Sequence, residues 1–210
     1  MESKKKLRIG VGGSAANPVH LGHFHLAKGL LESGRFDRVV WMPCGKRPDK
    51  PNLVDGAHRL SMTKAMFAPL LAHPQTEFVI DERDLEGVAR PTIDLLRDFS
   101  REYPDAEVAW YTGVDSVIPR EEHGGKCDIE AWWDEGEELM RKWKFVIAPR
   151  VGCPHPSTLS LPPQFETLEI EVPDISSTYL RAAIKKGEGY EEWLTPEVAA
   201  YIKAHGLYAT

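Results

Sequence analysis

The chain is expected to fold as an α/β protein, with a doubly wound, mostly parallel sheet carrying helices on both faces, in one domain over residues 1–210. Three observations predict this. Short apolar runs alternate with segments of helical period through most of the length. The first apolar run leads through Gly12-Gly13 into an amphipathic segment, the order of strand, glycine-rich turn and helix. A length of 210 residues supports one sizeable core without requiring two.

In chain order, residues 7–11 read as the first strand and 24–31 as the body of the first helix. Arg38-Val39-Val40-Trp41-Met42 reads as a second strand, stopped by Pro43. Residues 44–55 are rich in Pro, Gly, Lys and Asp and read as a loop. A helix follows over 57–71 and a short strand over 78–80. Residues 92–103 are helical, with Ile93, Leu96 and Phe99 on one face. Residues 107–111 form a strand ending at Thr112-Gly113, 129–140 a helix and 145–148 a strand. Residues 168–172 alternate as a further strand does. Two helices close the chain, over 177–186 and 196–205. Thr195 caps the second, with Pro196 at its first position. Residues 121–126 read as a loop insertion and 149–163 as an ordered loop, neither of them a linker. In such a Rossmann-like sheet, ligands bind beyond the C-terminal strand ends where the strand order reverses.

A hydrophobic content of 42% with 28% charged residues fits an ordinary soluble globular protein. No apolar run approaches the ~20 residues of a membrane helix, so no membrane partner is expected. The basic start Met1-Glu2-Ser3-Lys4-Lys5-Lys6 lacks an apolar core for a signal peptide and reads as solvated. A net charge of −6 argues against a general nucleic-acid binder, though not against a locally positive nucleotide site. Cys44, Cys127 and Cys153 are far apart with no C-x-x-C pair, so neither zinc nor a disulfide framework is expected and a reducing cytoplasm is favoured.

The most informative stretch is Gly12-Gly13-Ser14-Ala15-Ala16-Asn17-Pro18-Val19-His20-Leu21-Gly22-His23. It places two histidines around Gly22 where a helix begins. A helix start offers unpaired N–H groups and partial positive charge, which suit a phosphate. Glycines let the backbone approach a ligand, and imidazoles add donors aimed at developing phosphoryl charge. A second stretch, Asp174-Ile175-Ser176-Ser177-Thr178-Tyr179-Leu180-Arg181, sets hydroxyls at another helix start with an arginine one turn on. Alone it reads equally as an ordinary cap; beside the first it reads as a second phosphate cradle.

These segments resemble the H-x-G-H nucleotidyltransferases, with their G-G-[ST]-F-[DN]-P-x-H-x-G-H and I-S-S-T-x-[IL]-R motifs. The resemblance extends to the branch formed by the nicotinate/nicotinamide mononucleotide adenylyltransferases of NAD biosynthesis. It rests there on Thr112-Gly113-Val114-Asp115-Ser116, Pro91-Thr92-Ile93-Asp94-Leu95-Leu96, Ala131-Trp132-Trp133, and the end Leu194-Thr195-Pro196-Glu197-Val198, Tyr201-Ile202 and His205-Gly206-Leu207-Tyr208. Three departures stand out. Ala16 replaces an aromatic, which should loosen local packing. Asp49 stands where a histidine is expected before Lys50. Ala89-Arg90-Pro91 replaces the Ser-Tyr before Thr92.

The resemblance implies attack by a mononucleotide phosphate on the α-phosphorus of ATP, with pyrophosphate leaving. His20, His23 and Arg181 would be catalytic. Gly12, Gly13, Ser14, Gly22, Gly113, Asp115, Ser176, Ser177 and Thr178 would bind ATP; Asp115 reads equally as a turn residue. Lys50, Thr92 and Trp132 would face the mononucleotide, Trp132 reading also as a plain surface or core aromatic. Mg2+ would come bound mainly to the ATP phosphates, with no dedicated protein metal site. The alternatives are another phosphorylated acceptor, such as phosphopantetheine, and a catalytically weak nucleotide-binding regulatory module. A homo-oligomer is compatible with all three readings.

Overall fold

The computed structural model describes residues 6–209. The lysines at positions 4 and 5, read above as a solvated start, lie outside that range. Six strands form one sheet: β1 (Arg8–Ser14), β2 (Arg38–Pro43), β3 (Glu77–Ile80), β4 (Glu107–Gly113), β5 (Lys144–Ala148) and β6 (Phe165–Thr167). All pairings are parallel, in the order β3-β2-β1-β4-β5-β6. The chain winds outward from β1 to β3, returns to β4 beside β1, and winds outward again. The switch point therefore lies between β1 and β4, whose C-terminal ends border a ligand crevice.

Side chains alternate across this sheet because successive strand residues face opposite sides. Val39 and Trp41 belong to one core, with Leu30 of α1 (Leu21–Glu32), Met62 and Phe67 of α2 (Gly56–Phe67), Leu180 of α6 (Ser177–Lys186) and Val198 of α7 (Pro196–Ala204). Val40 and Met42 belong to the other, with Leu96 of α3 (Thr92–Glu102), Ile129 of α4 (Asp128–Trp132) and Leu139 of α5 (Gly136–Lys142). Burial on both faces explains why the central strands read as continuous apolar runs rather than alternating ones.

The structure corrects three sequence expectations. Gly12 and Gly13 are strand residues, not a turn: β1 pairs with β2 as far as Ser14. A Cβ on Gly12 would stand 2.6 Å from the Tyr111 ring, and one on Gly13 would strike the Met42 carbonyl. Their small size serves sheet packing. The helix expected over 129–140 is two helices, α4 and α5. Glu135, at φ +52°, breaks it, and Gly136 packs so closely on Ile129 that a Cβ would meet its carbonyl. Residues 168–172 are not a strand, because β5 ends at Ala148 and offers no further ladder after the Leu168 N–H bond to Ile147. Their alternation nonetheless marks real burial, since Leu168 is in the core and Ile170 packs against it. The second motif accordingly follows a loop, not a strand. Ala16, where an aromatic was expected, is 1% exposed and part of the core.

Candidate active site

The H-x-G-H segment builds its own helix start. His20 is the N-cap of α1, its Nδ1 accepting the Gly22 N–H at 3.1 Å. His23 reaches back so that its Nδ1 accepts the His20 N–H at 3.2 Å. This is a reciprocal capping arrangement made by two imidazoles instead of the usual hydroxyl and carboxylate. Gly22 is needed between them: a Cβ there would stand 2.9 Å from the His20 ring. The ring centroids are 3.9 Å apart. With each Nδ1 accepting, each ring carries its proton on Nε2, and the two Nε2–H donors are available to a ligand.

The pair is electrically neutral at pH 7. Burial, with Arg150 adding to it, pushes the His20 pKa down to about 4. Burial, then the His20, Arg150 and Lys50 charges, hold His23 well below its ordinary value. These couplings place Arg150 and Lys50 around the histidines. Two cationic side chains thus act on the pair in a chain of net charge −6.

The second motif docks onto the first. Arg181 donates from Nη1 to the Asn17 carbonyl at 2.8 Å and from Nη2 to Thr178 Oγ1 at 3.3 Å. Ser177 Oγ donates to the Pro18 carbonyl at 2.9 Å. Ser176 is the N-cap of α6 and accepts the Tyr179 N–H. Of the hydroxyls expected to cradle a phosphate, Ser176 holds the cap, Ser177 joins the two motifs, and Thr178 accepts from Arg181 within α6. The backbone start of α6 and the guanidinium add donors suited to an anion.

From the other half of the sheet, β4 ends at Gly113, whose added Cβ would meet the Asp115 carboxylate. Asp115 pairs with Arg150 at 2.9 Å, across the ends of β4 and β5. After β2 and β3, Lys46 bridges to Val88, and Asp84, only 3% exposed, accepts the Arg90 N–H at 2.8 Å. Asp49, standing in place of the expected histidine, is held bidentately by Arg47 at 2.8 Å. Thr92 is the first residue of α3. Trp132 is 71% exposed and donates from its indole to His123 Nε2 at 2.8 Å, while Trp133 packs on Phe145. Thr92 and Trp132 share no hydrogen bond or ring contact with the histidine pair among the described residues.

Sequence reasoning missed three residues. Arg150 follows β5 directly, and its place beyond a central strand end was the available signal. Arg59 is 1% exposed and donates to the carbonyls of Ala15 (2.9 Å), Cys44 (2.7 Å) and Val54 (3.1 Å), pinning the loop after β1 to both ends of the loop after β2. Nothing in its sequence context marks a buried arginine. Asn17 was quoted in the motif without a role. It is 3% exposed, with Nδ2 on the Asn52 carbonyl at 3.1 Å and Oδ1 accepting the Val54 N–H at 3.2 Å.

A cavity of about 380 Å3 opens beside Arg150, lined also by Pro149, Val151, Ile170, Glu171 and Val172. A larger one, about 430 Å3, lies between the ends of α6 and α7 and contains none of the residues above. Of the residues around the histidines, the first is lined by Arg150 alone. No three His, Cys, Asp or Glu side chains gather as a metal cage would require, and no helix is long and apolar enough to cross a membrane, among the described residues.

A parallel sheet with paired histidines at one helix start, an arginine-bearing second helix docked on them, and Arg150 beyond a central strand end is a framework suited to the phosphate chemistry of a nucleotidyltransferase. The model of the cytidylyltransferase-like family matches residues 11–183. The chain belongs to that family. It is 34% identical over 214 residues to a probable nicotinate-nucleotide adenylyltransferase of Synechococcus sp. (strain JA-2-3B'a(2-13)), covering 97% of this chain and 98% of the relative. It is 35% identical over 208 residues to the protein of the same description from Clavibacter michiganensis subsp. michiganensis, covering 97% and 94%. Among solved structures it resembles Plasmodium falciparum nicotinic acid mononucleotide adenylyltransferase complexed with NaAD. The TM-score is 0.80 at 22% identity, over 96% of this chain and 97% of that one.

Proposed function

We propose that this chain, acting as one nucleotidyltransferase domain over residues 1–210, transfers the adenylyl group of Mg·ATP to nicotinate mononucleotide. A phosphate oxygen of the mononucleotide attacks the α-phosphorus, the bond to the β-phosphate breaks, and pyrophosphate leaves as the dinucleotide forms. The observation that carries this reading is the docking of Arg181 and Ser177 onto the Asn17-Pro18 carbonyls, which brings the second helix start against the H-x-G-H cap. The nucleophile is already an anion, so rate acceleration comes from positioning and charge stabilisation rather than a strong base.

In this reading the neutral His20 and His23 donate from Nε2 to the phosphates, and Arg181 with the start of α6 holds the β- and γ-phosphates. Arg150 exchanges Asp115 for phosphate oxygen. Gly12, Gly13 and Gly113 keep the strand ends closely packed, with Ser14 beside them, and Gly22 fixes the His20 ring. Lys50 meets the mononucleotide phosphate, Thr92 caps its site, and the exposed face of Trp132 stacks on the pyridine ring. The metal arrives with the nucleotide, as Mg2+ keeps phosphate and water ligands. Cysteine usage supports a cytoplasmic enzyme. Full-length identity to proteins named nicotinate-nucleotide adenylyltransferase favours the nicotinate substrate over the nicotinamide one.

The test is pyrophosphate release from Mg·ATP with nicotinate mononucleotide, nicotinamide mononucleotide and phosphopantetheine in parallel. Release is expected with nicotinate mononucleotide foremost. Release with phosphopantetheine alone would move the function to that acceptor. ATP binding without release with any of them would leave a regulatory nucleotide-binding module.

A further inference from the structure

The C-terminal stretch Tyr201-Ile202 and His205-Gly206-Leu207-Tyr208 lies beyond every phosphate-binding element, yet its last tyrosine returns to the H-x-G-H loop. Tyr208 donates its hydroxyl to Asn17 Oδ1 at 2.9 Å, across 191 residues of sequence. That oxygen also accepts the Val54 N–H, the Asn17 carbonyl accepts Arg181, and the next carbonyl, of Pro18, accepts Ser177. Asn17 is thus gripped from the tail, the second motif and the loop after β2. Three residues further on is His20, whose ring orientation depends on where the cap begins.

The tail is built to deliver this hydroxyl. Ile202 is 1% exposed and anchors α7 in the core. His58 Nδ1 and the Tyr201 hydroxyl, 3.0 Å apart, tie α7 to α2, next to Arg59. The helix ends at Ala204, and Leu207 N–H bonds back to the Ile202 carbonyl. Tyr208 then takes φ +65°, a left-handed conformation that residues with a Cβ rarely adopt. Extended backbone would serve a free tail; the left-handed turn aims the phenol inward. Burial pushes its pKa well up against the opposing pull of Arg181 and Arg59, so it stays a donor at every working pH.

We propose that Tyr208 is a positioning residue for adenylyl transfer, fixing through Asn17 the start of the helix that presents His20 and His23. The proposal rests on the reading of the site given above. Its sequence signature is the final aromatic, whose hydroxyl, not merely its ring, is required.

The test compares Tyr208→Phe and Tyr208→Ala with the wild type, and Tyr208→Phe again in an Asn17→Ala background. Tyr208→Phe should lower kcat about 10-fold, in line with the cost of sub-ångström to 1 Å misplacement, with both KM values within twofold and little change in melting temperature. In the Asn17→Ala background the same change should do nothing further, because the acceptor is gone. A purely structural tail predicts the opposite pattern: Tyr208→Phe near wild-type in kcat, and Tyr208→Ala alone impaired through loss of packing. That pattern would overturn the proposal, as would an undiminished effect without Asn17. Histidine 15N spectra give a readout independent of turnover. Tyr208→Phe should shift the His20 and His23 ring signals and leave exposed His25 unmoved; unmoved His20 and His23 signals would also overturn it. If the wild type released no pyrophosphate, the functional reading would fall while these spectra still decided the positioning role.

Discussion

His20 gives a prediction whose size and sign follow from its burial. Replacing it by Asn retains a favoured N-cap acceptor for the Gly22 N–H while removing the titrating ring. In the wild type the His20 pKa falls from 6.5 to about 4. At about 1.4 kcal/mol per pKa unit, that is about 3 kcal/mol of stability sensitive to pH. The unfolded chain takes up the proton first, because burial resists the charge in the folded state. The contribution is therefore fully present above pH 6.5 and lost as the pH falls to about 4. His23 is held down partly by His20, so the two titrate as a pair. Urea denaturation of both proteins at intervals from pH 7 to pH 4 measures the difference directly, since acid effects of the surface carboxylates are common to both and cancel. The wild type should lose about 3 kcal/mol more than His20→Asn over that range. Parallel curves would refute the burial of an uncharged His20, and with it the Nδ1 acceptor role in the cap.

Four further outcomes are expected. His23→Ala should reduce kcat by two or more orders of magnitude, on the scale of a lost transition-state donor, while circular dichroism shows the fold kept; near-normal turnover in the folded variant would remove it from catalysis. Gly22→Ala should separate stability from activity. The helix gains about 0.5–1 kcal/mol from Ala, roughly offsetting a weakened cap, so the melting temperature stays close to wild-type while kcat falls at least tenfold, as expected of a displaced catalytic group. Lys50→Ala should raise the KM for the mononucleotide and leave that for ATP within twofold; an unchanged mononucleotide KM would take Lys50 out of the acceptor site. Arg59→Leu leaves the Ala15, Cys44 and Val54 carbonyls without their donor. Its cost should be about 3 kcal/mol or more in denaturant titration, and a loss below about 1 kcal/mol would show that water replaces the guanidinium.

Local features were legible wherever a short range of sequence controls the outcome. The start of α6 at Ser177 and of α7 at Pro196 followed from hydroxyl caps and a proline at the first position. The paired histidines stood at the start of α1 because the glycine between them leaves room for both rings. Failures came where a distant partner decided the result. The alternation over 168–172 described burial correctly, but a strand also needs a neighbour, and β5 had already ended. The 129–140 segment has helical composition throughout, yet Gly136 must press on Ile129, and the helix breaks at Glu135.

The same division runs through the site. By itself the sequence determined the candidate machinery: its residue types, their spacing, and the two helix starts that carry them, all set by local hydrogen bonding within a turn or two. Only the tertiary structure decided what those residues are. Burial makes the histidines neutral donors, and the docking of α6 sets the Ser177 hydroxyl on the Pro18 carbonyl, tying the two motifs together. It also recruits Arg150, Arg59 and Tyr208 from positions far along the chain. Desolvation and long-range hydrogen bonds depend on which surfaces meet, and no window of sequence contains both surfaces.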